Sequence, residues 1–386
     1  MSDEGVHGGD LRTVTVHDGV VVNHTSGRKT SASWEGWLSP SKLLIAEFEG
    51  GGSTLSRLDL ANGQIQSLWR GPGDVTAGGY ATSFAVARDG TTSAVIRQGF
   101  DVAPEVWAGT IDAWRQVTRV NATQRASWGT AESLQWRSGG FDVQGWLVPP
   151  REVASGRLYP LVVVVHGGPA SVATARWPGT WGVAGAMMAQ GYFVFLPNPR
   201  GSYGQGEAFT QANVRDFGGG DLRDILAGVD AVAARFPVDP KRVGITGWSY
   251  GGYMTMWAVT QTQRFRAAVA GAGIANWQSY YGENLIDQWM IPYFGASVYA
   301  DPSVYEKSSP MAFITRVKTP TLVIVGESDA ECPAPQSFEF WHALKTLGVP
   351  TELVVYPGEG HEFIDPAHRK DRVRRTLGWF EKYLHE

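Results

Sequence analysis

Cysteine is almost missing: Cys332 stands alone in 386 residues, which excludes an internal disulfide and a cysteine-built zinc cluster. A reducing compartment accords with that usage. A basic excess is also lacking. The formal net charge is −4 with no long Lys/Arg run, so nucleic acid is not the expected partner, because phosphate binding needs concentrated positive charge. Long apolar runs are absent too, and stretches such as residues 161–165 are far too short to span a bilayer. The start, Met1-Ser2-Asp3-Glu4-Gly5-Val6-His7, is polar and acidic and does not read as a secretory signal. The expectation is a soluble, cytoplasmic protein with no membrane and no nucleic-acid partner.

What is present is a globular balance, 43% apolar and 18% charged residues, over a length that suggests two units. Tryptophan is frequent at 16 residues; most are expected in the core or in a cleft wall, and the count alone decides nothing.

Residues 1–128 read as all-β. Strand-like runs fall at 43–48, 55–60 and 64–69, with Gly50-Gly51-Gly52 and Asn62-Gly63 as turns between them. A similar cycle follows at 82–87, 92–97, 105–109 and 115–118. The offset of about 50 residues is close to one four-stranded propeller blade. Two or three blades cannot close a ring. Three arrangements are therefore open: the C-terminal part of a longer protein, which is favoured, a reduced decoration, or a homo-oligomer in which a second subunit covers the open edges.

Residues 129–386 change texture. A hairpin at 133–137 and 141–148 precedes short β-branched runs at 161–165, 192–196, 243–246, 267–270, 321–325 and 352–356. Helical patterns at 222–236, 250–262, 335–347 and 369–384 alternate with them, the signature of a mainly parallel sheet covered on both faces. Leu222, Ile225, Leu226, Val229 and Val232 recur at helical spacing, an apolar stripe made to lie on a sheet.

Gly247-Trp248-Ser249-Tyr250-Gly251 follows the run 243–246 and opens a helix. This is the nucleophile elbow of an α/β-hydrolase fold in its expected context, with flanking glycines because side chains there would strike backbone. A serine hydroxyl needs a base and an orienting acid, which this fold supplies later in the chain in the order acid, histidine. Asp329 lies just past the run 321–325 and His361 just past 352–356, both in loops at the sheet edge where open sheets place their sites. The expected catalytic set is Ser249, Asp329 and His361. Glu327 reads as a loop carboxylate. His7, His17, His24, His342, His368 and His385 read as surface or structural. His166-Gly167-Gly168-Pro169 follows the run 161–165, so the amides of Tyr250 and Gly168 are the expected oxyanion donors and His166 itself a packing residue. Gly201-Ser202-Tyr203-Gly204-Gln205-Gly206 lacks the P-loop lysine and reads as a turn beside the cleft. No phosphate loop, dinucleotide fingerprint or metal-ligand set is seen, and no cofactor is expected.

The extended elbow Gly247-Trp248-Ser249-Tyr250-Gly251-Gly252-Tyr253-Met254, His166-Gly167-Gly168-Pro169 and Asn198-Pro199-Arg200-Gly201-Ser202 resemble the prolyl oligopeptidase family of serine peptidases over residues 130–386. The likeness is greatest to its acylaminoacyl peptidase and dipeptidyl peptidase branches. The resemblance implies hydrolysis of short peptides, behind a propeller that restricts access. It implies a specificity pocket walled by Tyr250, Ile274, Trp277, Tyr280 and Cys332, an apolar slot for proline, alanine or a larger hydrophobic side chain; plain core packing is the other role for Trp277 and Tyr280. Two residues after the acid, where these branches often carry arginine or asparagine, stands Glu331. This departure is expected to disfavour an acidic group and to receive a free amino terminus.

The leading reading is a serine hydrolase cleaving short peptides or acyl-aminoacyl substrates through an acyl-enzyme. The alternative is a carboxylesterase acting on small acyl esters. A catalytically silent binding module, from another class, is disfavoured by the intact set of three residues.

Overall fold

The computed structural model describes residues 8–76, 84–179 and 183–385. His7 and part of the run expected at 82–87 lie outside them.

An eight-stranded sheet forms the centre. Its strands are numbered here β1 (Glu132–Ser138), β2 (Phe141–Val148), β3 (Tyr159–Val165), β4 (Phe193–Asn198), β5 (Val238–Trp248), β6 (Ala267–Gly271), β7 (Thr321–Gly326) and β8 (Thr351–Tyr356). The spatial order is β1-β2-β4-β3-β5-β6-β7-β8. The pairs β1–β2 and β2–β4 are antiparallel and the others parallel. Strands β6 and β7 are buried along their whole length. Continuous apolar runs arise because helices cover both sides.

The covering helices are α1 (Val183–Ala189), α2 (Gly220–Arg235), α3 (Tyr250–Gln261), α4 (Ala334–Thr346) and α5 (Pro366–Leu384). On one face Ile225, Val229 and Val232 of α2 pack with Met254 and Ala258 of α3 and with Phe340 and Leu344 of α4. The stripe read from sequence makes this contact, with Leu226 partly buried at its rim. On the other face Met187 and Met188 of α1 join Trp379, Phe380 and Leu384 of α5. Phe380 presses on Gly244 of β5, since a Cβ there would lie 2.5 Å from its ring.

The N-terminal region is all-β. A four-stranded antiparallel sheet runs Ser31–Ser39, Lys42–Glu49, Gly52–Asp59 and Gln64–Gly71 in sequence order. A second sheet is ordered Arg115–Gln116, Glu105–Thr110, Thr92–Gln98 and Asp74–Thr76, with Ala85–Val86 also pairing Thr92–Gln98. Its core clusters centre on Leu44, Leu55, Val95 and Trp114, and on Leu43, Ile45 and Leu58. The sequence reading lacked Ser31–Ser39. That strand carries irregularities between Ala32 and Trp34 and between Trp37 and Ser39, which disturb the alternation that marks a strand. Within 82–87, the strand among the described residues is Ala85–Val86, followed by Ala87 N donating to Thr92 O at 2.8 Å.

The loop 201–206 joins the two regions. The Gly204 amide donates to Ser31 Oγ at 2.9 Å, and the Gly204 carbonyl accepts from Gly50 N at 2.9 Å. The turn expected beside the cleft is a tie to the β region, and its residues are not among those that border the Ser249 cleft. Asp74, almost wholly buried, pairs with Arg176 across the same boundary.

Removing the Phe380 ring leaves a cavity between β5 and α5. Phe380→Ala is expected to cost about 3–5 kcal/mol, read as a lowered urea midpoint by tryptophan fluorescence. An unchanged midpoint contradicts this packing.

Candidate active site

Strand β5 ends in the turn that carries Ser249. The residue adopts φ 62° and ψ −122°, a conformation costing a non-glycine residue about 1–3 kcal/mol. Surrounding backbone over-determines it. The Ser249 amide donates to Gly271 O at 3.1 Å, and its carbonyl accepts from Tyr253 N at 2.9 Å. A Cβ on Gly247 would lie 2.5 Å from the Gly251 carbonyl carbon, and one on Gly251 would overlap the Val165 carbonyl oxygen at the end of β3. Both positions need glycine for close approach.

Asp329 follows β7 and is buried. Its Oδ1 accepts from the amides of Glu331 at 2.9 Å and Cys332 at 2.8 Å. Its Oδ2 meets His361 Nδ1 at 2.8 Å. His361 follows β8 in a loop stitched to its neighbours. Trp248 Nε1 donates to the His361 carbonyl at 3.0 Å, and Ser328 N donates to Glu359 O at 2.8 Å. The Glu359 carboxylate accepts from Ile364 N at 2.6 Å and Asp365 N at 2.9 Å, and pairs with His368 Nδ1 at 2.8 Å. This carboxylate closes a ring of chain around His361, a role that sequence reading missed because nothing local distinguishes Glu359 from any loop acid. Glu327 caps the same loop by accepting from Gly358 N at 3.0 Å.

The geometry around His361 is asymmetric. Nδ1 is bonded to Asp329, while Nε2 has Glu331 Oε2 at 3.7 Å. Ser249 Oγ has Cys332 Sγ at 4.0 Å, and a hydrogen bond between Ser249 and His361 is not formed. Such bonds commonly tighten only with substrate in place. Burial on its own would lower the His361 pKa, but the hydrogen bond and charge of Asp329, joined by the charges of Glu331 and Glu362, outweigh it and leave the pKa raised above its ordinary 6.5.

The glycine turn after β3 abuts the serine, for a Cβ on Gly167 would come within 3.4 Å of Ser249 Cβ. Gly168 takes φ 120°. Among the described residues neither the Gly168 nor the Tyr250 amide has a hydrogen-bond acceptor. His166 is held at both nitrogens, Nδ1 against Gly167 O at 2.6 Å and Nε2 against Ser202 Oγ at 2.9 Å. Burial lowers its pKa.

A cleft of about 210 Å³ opens on Ser249. Gly168, Tyr250, Ile274, Trp277, Tyr280, Glu331 and Cys332 all border it. Ile286 and Trp289 complete the wall; sequence reading missed them because residues 277–316 fold into short helical pieces without a clear period. Trp277 and Tyr280 are also fully buried and pack edge-to-face at 5.4 Å, so core and wall are one layer here. Beneath it Tyr250 donates its hydroxyl to Asp221, which also accepts from Gly218 N at 3.1 Å and Leu222 N at 2.8 Å. Burial pushes the Asp221 carboxyl up to about 6 despite these donors. A larger cleft of about 510 Å³ lies elsewhere, between Trp128, Trp177 and Lys370. It shares no residue with the Ser249 cleft and holds none of the groups just described.

The other histidines occupy other roles. His24 Nε2 lies 2.8 Å from Thr13 Oγ1, His17 pairs with Asp18 at 3.3 Å, His342 stacks by Trp341, and His385 meets Tyr192 edge-on.

Sheet order, strand-to-helix elbow and glycine turn define an α/β-hydrolase fold. The chain belongs to the prolyl oligopeptidase family, whose model matches residues 183–386, more than half of the 386. Among curated relatives, the uncharacterized peptidase YuxL of Bacillus subtilis is 36% identical over 262 residues, 66% of this chain and 39% of that protein. Dipeptidyl-peptidase 5 of Porphyromonas endodontalis is 28% identical over 346 residues, 86% of this chain and 48% of that protein. The human acylamino-acid-releasing enzyme is 30% identical over 262 residues, 66% of this chain and 35% of its own length. The chain thus spans less than half the length of these relatives. Among solved structures, the Pyrococcus horikoshii acylaminoacyl peptidase superposes with a TM-score of 0.82 at 26% identity, over 95% of this chain and 58% of that one.

To act as a base toward Ser249, His361 would have to lose its proton, and its pKa is raised. Labelling of the serine by a fluorophosphonate is therefore expected to rise through a single titration centred above pH 6.5. A rate that is flat between pH 5 and 8 contradicts His361 as the base.

Proposed function

We propose that the chain is a serine peptidase acting on short peptides through an acyl-enzyme, with Ser249 as nucleophile, His361 as general base and Asp329 as orienting acid. The observation that carries this reading is the 2.8 Å bond from Asp329 Oδ2 to His361 Nδ1, in a loop anchored to Trp248 beside the strained serine.

In this mechanism Asp329 fixes the tautomer and leaves His361 Nε2 as acceptor. The Ser249 hydroxyl proton passes to Nε2 as Oγ bonds to the substrate carbonyl carbon. The carbonyl π pair moves onto oxygen, facing the amides of Gly168 and Tyr250, each such donor being worth about 3–4 kcal/mol to the transition state. Collapse re-forms the carbonyl and breaks the C–N bond, and the departing nitrogen takes the proton from Nε2. Water then enters, gives a proton to His361 and attacks the acyl carbon. The proton returns to Ser249 as the acid leaves. The aromatic slot of Ile274, Trp277, Tyr280 and Trp289 receives an apolar side chain of the acyl residue.

Membership of a peptidase family and the names of the relatives support amide rather than ester substrates, and no observation favours the carboxylesterase alternative. Among the described residues no helix is long and apolar enough to cross a membrane. The cytoplasmic location and self-association expected from sequence remain part of the proposal.

Ser249→Ala is expected to lower kcat on an aminoacyl anilide by about 10⁶-fold with KM changed far less, and Asp329→Asn to lower it by a smaller factor, about 10⁴-fold. Near wild-type turnover in Ser249→Ala would remove the reading.

A further inference from the structure

The wall of the Ser249 cleft is apolar and aromatic, and among the residues that line it Glu331 is the one carboxylate. Its side chain is 50% exposed. Among the described residues no lysine or arginine pairs with it, and the titratable group it faces is His361, with Nε2 at 3.7 Å. The position is rigid at its root, because Asp329 Oδ1 holds the Glu331 amide at 2.9 Å. A negative group fixed at the mouth of an apolar slot, one side chain away from the reacting serine, is poised for a cation carried by the substrate close to its scissile bond.

We propose that Glu331 selects substrates with a free amino terminus: its carboxylate receives the α-ammonium group of a short peptide whose carbonyl lies at Ser249, and in turning to that group it leaves His361 Nε2 to the serine. The inference rests on the peptidase reading above and narrows its substrates to unblocked peptides. An ammonium offers charge and three donors to the carboxylate. An N-acyl cap removes the charge and all but one donor. The blocked peptide then crowds Glu331 away from water without replacing the lost partner, which is costly for a charged group. A second carboxylate on the substrate at this point is repelled. Recognition and activation are coupled, since the same oxygen that binds the ammonium otherwise faces the nitrogen that must accept the serine proton.

Protection of Ser249 from a fluorophosphonate tests this without requiring turnover. Wild type, Glu331→Gln and Glu331→Arg are labelled in the presence of phenylalaninamide or N-acetylphenylalaninamide. In the wild type the free amine is expected to protect at about tenfold lower concentration than the acetylated form, as for one charge-assisted contact. That preference vanishes in Glu331→Gln and reverses in Glu331→Arg. Equal protection by the two amides in the wild type, or a preference that survives Glu331→Gln, overturns the assignment of Glu331 while leaving the serine reading intact. Wild-type protein that takes no label overturns the Ser249 reading and this inference with it.

Discussion

The close approach of β3, β5 and the first turn of α3 sets the geometry around Ser249. Ser249 holds φ 62° because Gly247 and Gly251 let three pieces of backbone meet without side chains between them. With a methyl group at 251 the Val165 carbonyl would have to move, and β3 carries the glycine turn that faces the serine. The strain at one residue is therefore borne by a sheet whose central strands are buried on both faces.

The elements around this point were legible because each has a local chemical signature. A glycine pair flanking serine after a β-branched run marks the elbow, and an acid and a histidine just beyond two further runs mark the loops that meet it. The stripe Leu222, Ile225, Val229 and Val232 lies on the sheet. One signal was present and went unread: α5 begins at Pro366 with Asp365 accepting from Ala367 N, an N-cap followed by proline at the first helical position, so the helix starts before the expected residue 369. The strand Ser31–Ser39 was hidden for the opposite reason, its bulges breaking the period on which sequence reading relies.

What sequence could not disclose is long-range. Asp221 supports Tyr250 from 29 residues away, and nothing in the order of residues around either one announces the pair. Ile286 and Trp289 reach the cleft from a segment of short helices whose faces are set by the aromatic layer they enter, Trp277 lying 5.8 Å from Trp289 and Phe217 5.5 Å from Trp277. Packing of this kind is decided by the partner surface, so periodicity carries little of it. The loop 201–206 shows the same limit. Its glycines suggested a turn, but its tie to Gly50 and Ser31 depends on a sheet more than 100 residues earlier in the chain.

The turn from Asp329 to Cys332 bears on how any substitution there must be read. One carboxylate oxygen of Asp329 orients His361, while the other accepts the amides of Glu331 and Cys332. Asp329 therefore holds His361 from its Nδ1 side and also holds the backbone from which Glu331 approaches Nε2 and Cys332 approaches Ser249. Removing the carboxylate releases the tautomer and two walls of the cleft together, so under the proposed mechanism its effect is more than that of a lost orienting bond alone. An asparagine keeps an oxygen for one of these tasks only. If that oxygen stays with the two amides, the amide nitrogen faces His361 and imposes the opposite tautomer, with cleft shape preserved. If it turns to the histidine, the tautomer survives and the turn loosens. Retention of slot affinity alongside loss of turnover identifies the first outcome, and concurrent loss of both the second.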